Sequence, residues 1–182
     1  MKRNQLEHAA TILQKGGVVA HACEGVWGLA CNPWCEAAVD RILEIKKRSV
    51  SKGLIVIGHS SAVFEPELEM VDSSRRFRVQ HSWPGHVTWI LPTQRFPQTV
   101  TGGRSTIAAR VPDHKQAREL CEAYGGALVS TSANHSSEIP ARSESEVRES
   151  MGSQVDFILR GSIGDAIGPS EIRSAIDDVR LR

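Results

Sequence analysis

The chain has 182 residues, with 22 Lys+Arg against 21 Asp+Glu and a formal net charge of +1. So even a balance excludes a general electrostatic pull toward nucleic acid or lipid, and any anion site has to be local. The length suits one compact domain over residues 1–182 with a single substantial core, and no stretch approaches the roughly 20 apolar residues that a membrane-spanning helix needs.

In chain order, Leu6, Ala9, Ala10 and Leu13 recur at helical spacing and predict an amphipathic helix that stops at Gly16-Gly17. This charged opening is unlike a signal peptide. With Cys23, Cys31, Cys35 and Cys121 in a chain able to build its own core, it predicts a cytoplasmic protein with reduced thiols. A short strand, "VVAHA" (18–22), comes next. "CEAAVDRILEIKKR" (35–48) is a second helix with Val39, Ile42 and Leu43 on one face, and "GLIVIG" (53–58) is a strand buried on both sides. "HVTWILP" (86–92), "TIAARVP" (106–112) and "ALVSTSA" (127–133) read as further strands, with "DHKQARELCEAYGG" (113–126) a glycine-terminated helix between the last two. The polar stretch 134–150 predicts a surface loop leading into a helix, with Ser143 as N-cap and Glu146 three residues on; a mobile lid is the alternative. The ending "GPSEIRSAIDDVRLR" fits either a capped helix or a turn plus a strand. The pattern is α/β, without internal repeats.

The helical stripe of Val39, Ile42 and Leu43 continues at Lys46, so its ammonium should lean inward or sit at the rim of a cavity. Lys46, Lys47, Arg48 and Lys52 fall within seven positions, and no acidic residue lies between Ile45 and Phe64. An anion from outside would balance this charge. A helix C-terminus also favours cations, by about 0.3–1 kcal/mol, which accounts for one or two of the four but less well for Lys52, placed just before a strand. No Walker A or Gly-x-Gly-x-x-Gly sequence accompanies them, so a bound phosphate would be held by side chains.

"GALVSTSAN" (126–134) breaks from an apolar strand into Ser130, Thr131, Ser132 and Asn134, which suits either phosphate and nucleotide edges or a turn. Alternation in "TIAARV" sets Thr106, Ala108 and Arg110 on one face. That face could grip a carboxylate through the guanidinium, or Arg110 could sit exposed on a half-solvated sheet. His21, Cys23, Cys31 and Cys35 lack a common zinc spacing and read as structural thiols beside a histidine. A Cys23 nucleophile with His21 beside it is the other possibility. Trp83-Pro84-Gly85 forms a rigid turn, and Trp83 and Trp89 belong to the core.

Taken in order, "GGVVAHACEGVWGLACNP", "KKRSVSKGLIVI", "SWPGHVTWILP", "STIAARVPDH", "LVSTSAN" and "PSEIR" resemble the threonylcarbamoyl-AMP synthase family, the YrdC-like proteins in their short stand-alone bacterial form. The resemblance implies an α/β fold with a twisted mixed sheet and flanking helices around a large, positively charged concave cavity. It also implies an enzyme that joins L-threonine, bicarbonate or CO2 and ATP into threonylcarbamoyl-AMP with release of pyrophosphate, for threonylcarbamoyladenosine in tRNA. Carried onto matching positions, Lys46, Arg48 and Lys52 would be catalytic, and Arg48, Lys52, Thr106, Ser132 and Asn134 would bind ATP. Cys23, Arg110, Ser130 and Ser170 would hold threonine. Mg²⁺ would arrive with ATP, so no tightly bound protein metal site is expected. Partners would be the downstream threonylcarbamoyl transferase proteins and, weakly, RNA, with no membrane.

The chain departs from the family pattern in four places. Ala22-Cys23-Glu24 stands where relatives read Pro-Thr-Asp/Glu, His86 where many have proline, Ser137 where glycine is common, and Trp27 keeps an aromatic at the cavity wall. A thiol is a weaker hydrogen-bonding group than a hydroxyl, so Cys23 touches amino-acid selectivity. Two other readings stay open on residues alone: a non-catalytic module for double-stranded RNA or tRNA, and a divergent relative that adenylates another amine carbamate.

Overall fold

The structure is a computed structural model that describes residues 2–136 and 138–181, so Ser137 lies outside the described residues. In order the elements are α1 (Lys2–Gln14), β1 (Val19–Ala22), β2 (Trp27–Cys31), α2 (Glu36–Lys46), β3 (Ile55–Ile57), α3 (Glu65–Leu68), α4 (Ser73–His81) and β4 (Val87–Pro92). Then come α5 (Gln98–Thr101), β5 (Thr106–Arg110), α6 (Lys115–Tyr124), β6 (Leu128–Ser132), α7 (Glu144–Met151), β7 (Phe157–Ile158) and β8 (Glu171–Ser174). The eight strands form one mixed sheet in the order β7-β1-β2-β6-β3-β5-β4-β8. No described helix is long and apolar enough to cross a membrane.

Alternation divides the side chains between two cores. Trp27, Leu29, Val56, Trp89, Ile107, Ala109 and Val129 pack on one face against Ala38, Val39, Ile42 and Leu43 of α2. Val19, Ala30, Ile57 and Leu128 project from the other, against Ala9 and Leu13 of α1 and Ala117, Leu120 and Cys121 of α6. The second cover is partial. Helices α1 and α6 shield the β1, β2, β6 and β3 side, and the rest of that face is left for a cavity.

Several boundaries follow local chemistry. Helix α2 ends at Lys46, two residues short of its predicted end, because Lys47 adopts the left-handed conformation (φ 49°) and its N–H returns to Glu44 O. Helix α6 closes on Gly125 (φ 91°) as predicted. Ser143 caps α7 by accepting from Glu146 N, and the Glu146 carboxylate accepts from Arg142 N at 2.7 Å. The C-terminal stretch resolves to a turn plus strand: β8 runs parallel to β4, with Glu171 opposite Val87. Strands β2 and β7 and helices α3, α4 and α5 have no counterpart among the predicted elements. All five residues of β2 are buried, so it shows no polar alternation. Helix α4 has little apolar face and is started by Asp72, whose carboxylate accepts from Ser74 N and Arg75 N.

Both tryptophans assigned to the core are there. Trp83 Nε1 donates to Val87 O at 2.9 Å and Trp89 Nε1 to Ser82 Oγ at 2.8 Å. The heaviest buried charge is Glu67, 1% exposed, which accepts from Thr93 Oγ1 and from Arg95 Nε and Nη2. Removing one partner of such a pair leaves an uncompensated charge in the interior. Arg95→Ala should therefore cost about 3 kcal/mol in a denaturant titration, and Glu67→Leu in that background should recover much of the loss. Equal stability of the single and double variants would refute this account.

Candidate active site

Residues opposite one another on neighbouring strands share a face. Ile57 and Arg110, Ile55 and Ala108, and Ala108 and Ile90 are such pairs on the α1/α6 side, with Ile57 and Ile55 at the edge of the helical cover. They floor a cavity of about 790 Å³. Its walls are the 23–28 turn after β1, the 48–54 segment before β3, Val100–Arg104, the end of β6, Ile139–Arg142 and Gly168–Ile172. Among the described residues, Arg48, Lys52, Arg104, Arg110 and Arg142 line it, with Glu24 the one carboxylate.

Lys46 does lean inward, as the stripe predicts, but it is not among the lining residues. It is 3% exposed, and its Nζ donates to Ser132 O at 2.5 Å, Asn134 O at 2.9 Å and Asn134 Oδ1 at 3.0 Å. The ammonium is thus met by neutral acceptors of the chain itself, and it braces the turn after β6 from behind. Asn134 shares that position outside the lining, while its Oδ1 also accepts from Ser132 Oγ at 2.6 Å. Burial, with Arg48 adding to it, pulls Lys46 down to about 8.

Arg48 and Lys52 lie past the helix end. Arg48 lines the cavity and donates through Nε and Nη2 to Gly53 O at 3.3 and 3.0 Å. Lys52 is exposed on the short 3-10 turn Val50–Lys52 that leads into β3. Arg104 joins them, donating to Ser51 O at 2.7 Å and Thr101 O at 3.2 Å. Lys47 is exposed to solvent. Thr106, Ser130 and Ser132 line the cavity half-buried. Ser170, 4% exposed, lines it as well, with its hydroxyl 2.8 Å from Thr88 Oγ1.

Arg110 is buried rather than spread on an open sheet, and it is not an unclaimed guanidinium. Its Nη2 forms an ion pair with Glu24 Oε2 and donates to His86 Nδ1 at 2.9 Å, while Nε donates to Gly85 O at 3.1 Å. Glu24 also accepts from Asp113 N at 2.8 Å and from the Cys23 thiol at 3.4 Å. Cys23 lines the cavity, and burial raises its thiol above the usual range. His21 does not serve it as a base: the imidazole is bonded to Ala22 O and Ser130 Oγ. All four cysteines are free thiols, and no group of three metal-binding side chains occurs among the described residues. Trp27 borders the cavity, yet its ring is fully buried in the α2-side core. Alternation turns Gly28, not Trp27, toward the open face.

Glu24, Arg104 and Arg142 were not picked out by sequence reasoning as site residues. Glu24 did carry a signal, as the one acid between Glu7 and Glu36. Arg104, a lone arginine after two glycines and just before a strand, was readable in the same way.

A mixed sheet whose uncovered half floors a walled cavity of this volume, with arginines and a lysine in its wall, defines an α/β protein with a site of small-molecule size. The chain matches the Sua5/YciO/YrdC family model, described as telomere recombination, over residues 11–181, and it belongs to that family. It is 45% identical over 175 residues to a Nitrosococcus oceani protein named threonylcarbamoyl-AMP synthase, covering 96% of this chain and 95% of the relative. A Cellvibrio japonicus protein of the same name is 42% identical over 173 residues, with 94% and 92% covered. Among solved structures, P. abyssi Sua5 complexed with L-threonine superimposes with a TM-score of 0.87 at 29% identity, over 93% of this chain and 50% of that one. E. coli YciO gives 0.85 at 28% identity, over 100% and 89%. The chain thus spans about half the length of that Sua5.

The depressed Lys46 has a testable consequence. Its ordinary value is 10.5 and its folded value about 8, so between these limits the unfolded chain holds a proton that the folded chain has lost. Folding stability from this group therefore rises with pH across that window and is flat below it. The stability of the wild type relative to Lys46→Met, measured by urea titration, should rise from pH 8 to pH 10. A gap that is constant over that range would show that Lys46 titrates normally.

Proposed function

We propose that the protein is a threonylcarbamoyl-AMP synthase, acting in the cytosol on L-threonine, bicarbonate or CO2, and ATP carried with Mg²⁺. The observation that carries this reading is the 42% and 45% identity, over nearly the full length, to relatives that bear that name. The likeness to a Sua5 complexed with L-threonine supports the amino-acid substrate, and the basic wall supports the triphosphate.

On this reading the threonine amine adds through its nitrogen lone pair to CO2, loses a proton to solvent and gives a carbamate. A carbamate oxygen then bonds to the α-phosphorus of ATP as the bond to the β-phosphate oxygen breaks, and pyrophosphate departs with that electron pair. No side chain need form a covalent bond, so the protein's work is positioning and charge stabilisation. Arg48, Lys52 and Arg104 hold the phosphates, and Thr106 and Ser132 contact the nucleotide. Lys46 and Asn134 act from behind the wall by fixing the Ser132 turn. Arg110 meets the threonine carboxylate with its Nη1 hydrogens, since Glu24, His86 and Gly85 take its Nη2 and Nε. Ser130, Ser170 and Cys23 complete the amino-acid side. The product goes to a transferase that modifies tRNA.

Incubation with ATP, bicarbonate and labelled threonine should give threonylcarbamoyl-AMP and threonine-dependent pyrophosphate; absence of both under varied Mg²⁺ would overturn the reading. Loss of one guanidinium on phosphoryl oxygens should cost on the order of 10²-fold in kcat/KM for Arg48→Ala. Wild-type turnover by that variant would remove Arg48 from the phosphate site.

A further inference from the structure

His21 and Ser130 belong to strands that are not neighbours. Strand β2 lies between them, with Gly28 opposite His21 on one side and opposite Ser132 on the other. Strands two apart are separated by about 9–10 Å, a gap that a side chain on β2 would normally fill. Gly28 has none, and a Cβ there would lie 3.1 Å from His21 Nε2 and 3.4 Å from Ser130 Oγ. The imidazole passes over this opening and brings Nε2 to 3.1 Å from Ser130 Oγ, while Nδ1 sits 3.1 Å from Ala22 O.

The carbonyl fixes the proton inventory, because Ala22 O can only accept and Nδ1 must therefore carry the hydrogen. Burial, helped by the neighbouring His114, lowers His21 to about 4, so the ring is neutral at physiological pH and Nε2 is bare. A bare Nε2 can only accept, and the Ser130 hydroxyl proton points at it. The oxygen of Ser130, a cavity-lining residue, is left with lone pairs alone.

We propose that His21 is a positioning residue that turns the Ser130 hydroxyl into a pure acceptor toward the cavity, so that this point selects an N–H or O–H donor of the ligand. The ligand half of this inference rests on the synthase reading, in which that donor belongs to threonine. A free serine hydroxyl would tolerate donor and acceptor alike; this one discriminates, because a ligand acceptor placed there would face lone pair against lone pair.

Two measurements test it. In ¹⁵N spectra of the wild-type chain at pH 7, His21 should show a protonated Nδ1 and an unprotonated Nε2. A protonated Nε2 would overturn the proposal whatever the enzyme does. In kinetics, Ser130→Ala removes the acceptor and should raise the KM for threonine by about tenfold, the value of one lost hydrogen bond to a charged or polar ligand group, while the KM for ATP stays within about twofold. His21→Phe frees the hydroxyl to rotate but leaves it able to accept, so it should raise the KM for threonine by about threefold, and the double variant should be no worse than Ser130→Ala alone. His21→Gln offers an amide oxygen as acceptor and should restore most of the threonine affinity. Additive effects of the two substitutions, or KM values for ATP and threonine that rise together, would overturn the proposal. If His21→Phe does not fold, His21→Gln and the spectra decide it. If the wild type shows no threonine-dependent pyrophosphate release, the synthase reading falls, and the ring nitrogens alone decide the state of His21.

Discussion

Helix α2 ends where its apolar stripe still points into the protein, so the residue that completes the stripe must bury a charge. Lys46 does so against the turn after β6, and the helix end is laced to the same segment in return. The Ile45 carbonyl is within 2.5 Å of His135 Nδ1, and the Lys46 carbonyl accepts from Ser136 N at 2.8 Å and Ser136 Oγ at 2.7 Å. Carbonyls that every helix leaves without intrahelical partners are thereby satisfied by the segment that walls the cavity. The exchange works in both directions. The turn gives an ammonium its acceptors, and the helix gives the turn a fixed place. Ala133 N then bonds Trp27 O, Trp27 N bonds Ala141 O, and Ala141 N bonds Ala133 O, each near 2.8–3.0 Å, which clips Ala133 and Ala141 to the start of β2.

This arrangement explains how a nearly neutral chain keeps a basic wall. A carbonyl dipole orients a cation without cancelling its charge, whereas a carboxylate does both. Arg104 is oriented by Ser51 O and Thr101 O. By contrast Arg95 is matched to Glu67 and Arg110 to Glu24. The first kind of cation stands at the approach to β3; the second braces the core and the far side of the cavity. The left-handed Lys47 belongs to the same logic. It stops the helix without a glycine, so Arg48 leaves the helix surface and lines the cavity.

Periodicity in the sequence was enough to place Lys46 inward, to set Thr106, Ala108 and Arg110 on one face, and to find the Ser143 cap, since each depends on neighbours within a few positions. What lies opposite a residue was not legible in the same way. The acceptors of Lys46 are 86 and 88 residues away, and Glu24 and Arg110 are brought together only by the strand order. Strand β2 escaped for a related reason. It is buried on both faces, so the polar alternation that marks a half-buried strand is absent. Helix α4 owes more to its Asp72 cap and to pairs such as Arg78 with Asp178 than to an apolar stripe. The fold of the site was therefore half written in local pattern, and its electrostatics almost wholly in topology.

Gly28 shows how a single absent side chain can matter to a site as much as the groups that line it. With His21 on one neighbouring strand and the Ser130–Ser132 stretch on the other, any Cβ at this position would separate a buried imidazole from the hydroxyl whose proton it takes. The cavity is then polarised across its width. Cationic donors stand at the 48–54 segment and Arg104, and a hydroxyl committed as an acceptor stands on β6, held by His21 of β1 across β2. A ligand that is anionic at one end and carries hydrogen-bond donors at the other can satisfy both sides in one orientation only. Reversed, it would place phosphate oxygens against lone pairs and N–H groups against guanidinium hydrogens, and each such buried mismatch costs about 1–3 kcal/mol.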